Sequence, residues 1–168
     1  KKKCKLIIFL SSIEVYGEIN TKLIDENSSI NNPNFYGASK FYCESILKES
    51  SKNINSLILR LPGILGNDFT PRCWLQDLKE NFIKNKKVKF YNPDSYFNNV
   101  FDINNLVNLL ERIFEINKHI NYDIVNLSAN KPITIKKIID IFKITLKSRS
   151  RLLRLKSNEN SFIINNKK

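Results

Sequence analysis

The chain has 168 residues, 42% of them hydrophobic, and a formal charge of +12. That length holds one well-buried domain rather than two, and the apolar content excludes a disordered chain. Lysine, asparagine and isoleucine are inflated together and the lysines are scattered. Without aromatic platforms or a binding motif, the charge does not point to nucleic acid.

There is no Met, and the chain opens Lys1-Lys2-Lys3, so it is read as part of a longer protein. Cys4, Cys43 and Cys73 are odd in number and outside any C-x-x-C pair. That pattern excludes a disulfide framework or zinc site and fits a reducing cytoplasm. His119 is the only histidine, so no metal centre is expected. No apolar run reaches the ~18 residues of a membrane span, and Ser11-Ser12-Ile13-Glu14 interrupts the start too early for a signal peptide.

Lys5 to Leu10 is a continuous apolar run, the mark of a strand buried on both faces. Residues 17 to 34 are polar, and Asn31-Asn32-Pro33-Asn34 is turn chemistry, which predicts a loop. A helix follows from Phe35 to about Ser50. Ser56 to Leu61 is a second buried strand, stopped by Pro62-Gly63. Strand, helix and strand in this order imply a parallel sheet with a crossover helix.

Residues 72 to 85 read as helix and Val88 to Tyr91 as a brief strand. A helix starting near Asn104 or Asn105 places Leu106, Leu109, Leu110, Ile113 and Phe114 on one face. Tyr122 to Leu127 is another strand. Thr134 is the N-cap of a helix burying Ile135, Ile138, Ile139 and Phe142. Short strands are expected in the basic tail at Arg151 to Leu155 and Ser161 to Ile164.

Tyr36 and Lys40 stand one turn apart on one face of the first helix. A free tyrosine ionises near ~10, on the order of 4 kcal/mol too weakly acidic for proton transfer at neutral pH. A neighbouring ammonium favours the phenolate, and its remaining protons can reach a ribose. A serine hydroxyl at the carboxyl end of a neighbouring strand can hold the substrate oxygen, since ligands gather at that end of open parallel sheets. Ser11 and Ser12 occupy such an end. Adjacent strand residues point to opposite faces, so only one of them should reach the substrate. A Y-x-x-x-K spacing alone is a weak signal; its surroundings carry the specificity.

Phe9-Leu-Ser-Ser-Ile-Glu-Val-Tyr-Gly17, followed one loop later by Tyr36-Gly-Ala-Ser-Lys40, resembles the signature of NAD-dependent epimerases and dehydratases of nucleotide sugars, which are extended short-chain dehydrogenase/reductases. Leu59 to Gly66, Val100 to Leu106, Val125-Asn-Leu and Ile133 to Ile138 are similar to later segments of that family. The resemblance covers about residues 5 to 145. It implies an α/β fold: the C-terminal part of a Rossmann-like doubly wound parallel sheet with a small α/β substrate-binding region. Residues 1–66 would be the second half of the NAD(P)-binding domain. Residues 67–168 would be mostly substrate-binding, with Rossmann elements interleaved at about 98–127 and the C-terminus truncated.

The resemblance also implies roles. Tyr36 is the acid/base, Lys40 tunes it and binds the nicotinamide ribose, and Ser12 touches the reacting hydroxyl or carbonyl. Pro62 packs beside the nicotinamide, with Ser11 a weaker cofactor contact. Gly63 and Asn98 fall at substrate-binding positions, though many members carry Asn and Arg there. Lys87, Lys89 or Arg72 are the nearby charges left for a diphosphate, although a solvated face is the favoured reading of each. The expected cofactor is NAD or NADP, the partner a nucleotide-sugar substrate, and the assembly a homodimer through the helix bearing Tyr36 and Lys40.

Two departures matter. The four glycines, Gly17, Gly37, Gly63 and Gly66, form no G-x-x-G-x-x-G phosphate loop. The chain is therefore expected to begin inside the fold, to expose an unpaired apolar strand edge, and to be insoluble or inactive alone. Ile13 replaces the aspartate of 4,6-dehydratases while Glu14 is kept. Epimerase or related oxidoreductase chemistry is thus favoured over a 4,6-dehydratase, with a non-catalytic binding remnant of the fold as the contrasting reading.

Overall fold

The first apolar run becomes β1 (Ile7–Ser12) in a computed structural model that describes residues 4–66, 73–116, 120–156 and 161–167. Arg72 and His119 lie outside those residues. After β1 the chain forms a short 3-10 turn (Ile13–Tyr16), then β2 (Leu23–Ile24) and α1 (Phe35–Glu49). Next come β3 (Ser56–Leu61), β4 (Gly63–Leu65), α2 (Trp74–Ile83), β5 (Val88–Phe90) and β6 (Tyr96–Phe97). The chain continues with β7 (Val100–Asp102), α3 (Ile103–Glu115), β8 (Tyr122–Asn126), β9 (Ile133–Thr134) and α4 (Ile135–Thr145). β10 (Leu152–Arg154) and β11 (Ile163–Ile164) complete it.

β1, β3 and β8 form a parallel sheet in the order β1-β3-β8. Strand alternation divides β3 between two helical layers. Leu57 and Leu59 pack with Leu106 of α3, while Arg60 points the other way and pairs with Glu44 of α1. Helices therefore cover both faces, which is the doubly wound arrangement. The outer edge of β1 carries no strand among the described residues.

A second apolar cluster joins Leu75, Leu78 and Phe82 of α2 to Val88, Val100, Ile138 and Ile139. Local chemistry sets the helix starts. Asp102 accepts from the amides of Asn104 and Asn105, and Thr134 accepts from that of Lys137 at 3.3 Å.

One sequence expectation needs correction. Residues 17 to 34 are not all loop, because β2 pairs in parallel with β11 from the far end of the chain. Pro62 does stop β3 at Leu61. Pro62 has no amide hydrogen for a ladder, and from Gly63 the chain pairs anew, β4 against β7. No helix among the described residues is long and apolar enough to cross a membrane.

Candidate active site

The carboxyl ends of β1 and β3 and the first turns of α1 enclose a cleft of about 810 Å³, within the size range of small-molecule sites. Ser11, Ser12, Tyr36, Lys40, Pro62 and Gly63 all line it, with Glu14 and Cys73 at its sides.

Each of these side chains is placed by a local device. Ser12 is buried, and its Oγ accepts from the Glu14 amide at 3.2 Å, capping the 3-10 turn. That bond uses a lone pair and leaves the hydroxyl hydrogen to donate. Tyr36 sits in the first turn of α1, 49% exposed, where a reactant can meet it. Asn34 caps the helix: its Oδ1 accepts from the Gly37 amide at 2.8 Å, and its Nδ2 donates to Glu14 Oε2 at 2.7 Å. Lys40 donates from Nζ to the Leu10 carbonyl at 2.9 Å and lies 5.5 Å from the Tyr36 ring centroid and 5.1 Å from that of Phe9. One ammonium hydrogen is engaged and two remain.

Gly37 allows the helix to come this close. A Cβ there would stand 2.1 Å from the Glu14 carbonyl oxygen, a backbone atom. Gly37→Ala is expected to push α1 off the turn and to destabilise the fold by about 1–3 kcal/mol. Thermal unfolding would register this as a Tm lowered by roughly 2–12 °C.

Ser11 takes the opposite face. Its Oγ donates to Glu44 Oε1 at 2.5 Å, while the residue also borders the cleft. Glu44 and Arg60 form a buried two-point ion pair, Nε to Oε1 at 3.0 Å and Nη2 to Oε2 at 2.6 Å. Arg60 Nη1 also donates to the Tyr16 hydroxyl at 2.8 Å. That hydroxyl has two acceptors at 2.8 Å, Asn126 Oδ1 and the Asp25 carbonyl. The sequence reading did not find this network. Its available signal was Arg60 itself, an arginine inside an apolar strand, which demands a buried acid opposite.

Burial pushes the Tyr16 phenol above its ordinary value, against the lowering influence of Arg60. Burial raises Tyr122 too. A phenol raised on folding contributes stability that is complete below the unfolded value of 10.0 and is lost as pH rises through the folded one. Urea unfolding is therefore expected to show stability falling above about pH 10. Tyr16→Phe should make that decline shallower.

Asn98 does not line the cleft. It is buried, its Nδ2 donates to the Ile164 carbonyl at 2.8 Å, and its Oδ1 accepts from the Ile164 amide at 2.9 Å. It clamps β11 rather than facing a ligand in the cleft. Lys87 and Lys89 are exposed and also do not line the cleft.

Ser12 at the end of β1 and Tyr36 and Lys40 on α1 thus share one cleft on a Rossmann-like fold. Solved structures share this fold. UDP-glucuronic acid 4-epimerase from Bacillus cereus, in complex with NAD, superposes with a TM-score of 0.80 at 19% identity, over 95% of this chain and 52% of that one. UDP-N-acetylglucosamine 4-epimerase from Methanobrevibacter ruminantium, in complex with UDP-N-acetylmuramic acid, gives 0.77 at 18% identity, over 96% and 54%. dTDP-glucose 4,6-dehydratase from Bacillus anthracis, in complex with NAD, gives 0.72 at 16% identity, over 94% and 52%. The chain thus spans about half the length of these proteins. No curated protein matches it. The model of the NAD dependent epimerase/dehydratase family matches residues 1–128, and the chain belongs to that family.

Proposed function

We propose that the protein is an NAD(P)-dependent nucleotide-sugar epimerase or related oxidoreductase, with Tyr36 as the acid/base. The observation that carries this reading is the convergence of Ser12, Tyr36 and Lys40 on one cleft. The Ser12 hydroxyl hydrogen holds the reacting sugar oxygen, and Tyr36 Oη exchanges the proton with it. Lys40 stabilises the negative charge that develops on that oxygen during transfer.

The cleft fits the nicotinamide end of a dinucleotide: Lys40 keeps two hydrogens for a ribose, and Pro62 forms an apolar wall. When bound, the nicotinamide supplies the hydride acceptor and donor. NAD and NADP differ at the adenosine end, whose glycine-rich cradle is not among this chain's four glycines. That half of the site would come from elsewhere in the whole protein.

Glu14 favours epimerisation or reduction over dehydration. Its carboxylate accepts from Asn34 and holds the cap of α1, while Ile13 supplies no second acid. The substrates named with the similar structures make UDP- and dTDP-linked hexoses the first candidates. NMR of the whole protein should show a new epimer when such sugars are incubated with NAD, or a reduced sugar when their 4-keto derivatives are incubated with NADPH. No change in any of them would overturn the reading, and a 4-keto-6-deoxy product would replace it with the dehydratase.

The outer face of α1 supports a homodimer, with Phe35 at 92% and Tyr42 at 69% exposure. Sedimentation of the whole protein should give twice the monomer mass, and Tyr42→Asp should halve it. A wild-type monomer would end that proposal.

A further inference from the structure

The geometry points to Glu44 as the positioning residue of the site, a role that rests on the proton-transfer reading above. Tyr36, Lys40 and Glu44 follow one another at four-residue spacing, so one stripe of α1 carries all three. That stripe meets the end of β1 residue by residue. Lys40 holds the Leu10 carbonyl at 2.9 Å, Glu44 holds the Ser11 hydroxyl at 2.5 Å, and Ser12 is left facing the cleft with Tyr36. The serine pair is thereby divided between two tasks: Ser11 is an anchor and Ser12 the working hydroxyl.

Glu44 is suited to the anchoring task because it cannot slide. Its side chain is 2% exposed, and Arg60, at 3%, grips both its oxygens from β3, the strand next to β1. A planar two-point pair fixes direction as well as distance. The helix is thus tied to two adjacent strands through one carboxylate. Any rotation of α1 that moved Tyr36 away from Ser12 would have to break these bonds. A shift of about 1 Å in such a site can lower turnover by about 100-fold.

Glu44→Asp in the whole protein tests this. Aspartate keeps the charge facing Arg60 but is one methylene shorter, so α1 must move or the Ser11 bond must open. We expect Tm to stay close to wild type and kcat to fall at least tenfold. The KM for the sugar and the Kd for the cofactor should stay within about twofold. Ser11→Ala, which leaves the ion pair intact, should lower kcat in the same direction with KM held and Tm lowered by only a few degrees, and it serves if the aspartate variant does not fold. A kcat within twofold of wild type in the folded variant, or a loss that only follows the unfolded fraction, would overturn the assignment. Should wild type turn over no nucleotide sugar, the functional reading fails by itself. Crystal structures then decide the positioning role: a Lys40 Nζ to Leu10 carbonyl separation beyond hydrogen-bonding range in the variant supports it, and an unmoved one refutes it.

Discussion

Tyr36→Phe is expected to lower turnover of the whole protein by at least 100-fold while cofactor affinity stays within about threefold. General acid–base catalysis by one positioned side chain contributes about 10²–10⁴-fold, so the lower bound corresponds to roughly 2.7 kcal/mol of barrier. The substitution removes one oxygen and leaves the aromatic ring in place. Asn34 still caps α1, because that cap uses the Gly37 amide, and Lys40 still reaches the Leu10 carbonyl. The change should therefore isolate proton transfer. Lys40→Met is expected to behave differently, raising the cofactor Kd as well as lowering kcat, because its free ammonium hydrogens face the cleft. Stopped-flow turnover with parallel calorimetry of cofactor binding separates the two patterns. Turnover of the phenylalanine variant within tenfold of wild type would remove Tyr36 from the chemistry.

The parts of the fold that repeat a local rule were legible in the sequence. β3 was read as Ser56 to Leu61 and is Ser56–Leu61, because a strand buried on both faces shows as an apolar run. Thr134 announced α4 through its own hydroxyl, and four-residue spacing put Tyr36 and Lys40 on one face. Features that depend on distant partners were not legible. β2 and β11 have two residues each and pair across most of the chain, so neither carries a periodicity to detect. Glu44 looks like any solvated glutamate on a helix until Arg60 and Ser11 are brought against it. Asn98 sits where resemblance suggested a substrate contact, but its amide serves the Ile164 backbone. Resemblance could place the position in the chain but could not reveal which neighbour would claim the side chain.

Arg60→Ala is expected to destabilise the fold by about 3–5 kcal/mol, because it leaves the Glu44 carboxylate buried without its countercharge. For a chain of this size that is a fall in Tm of roughly 6–20 °C, a large part of the ~5–15 kcal/mol that holds a typical domain together. The pair lies between α1 and β3, with Ser11 on one side and Tyr16 on the other, so the loss should spread to the hydroxyls that lean on it. Glu44→Ala should cost a similar amount, since it strands the guanidinium, which the structure holds above its ordinary pKa: burial, the largest single influence, opposes this, and Glu44 and Tyr16 together outweigh it. Replacing both residues with alanine removes both charges at once and closes the cycle. The double variant should then be clearly more stable than the sum of the two alanine losses predicts. Thermal and urea unfolding of the four proteins measures the coupling. Single losses below about 1 kcal/mol would mean that water reaches the pair after all. Strict additivity would show that the two charges do not depend on each other, and the tie between α1 and β3 would then have to come from apolar contact alone.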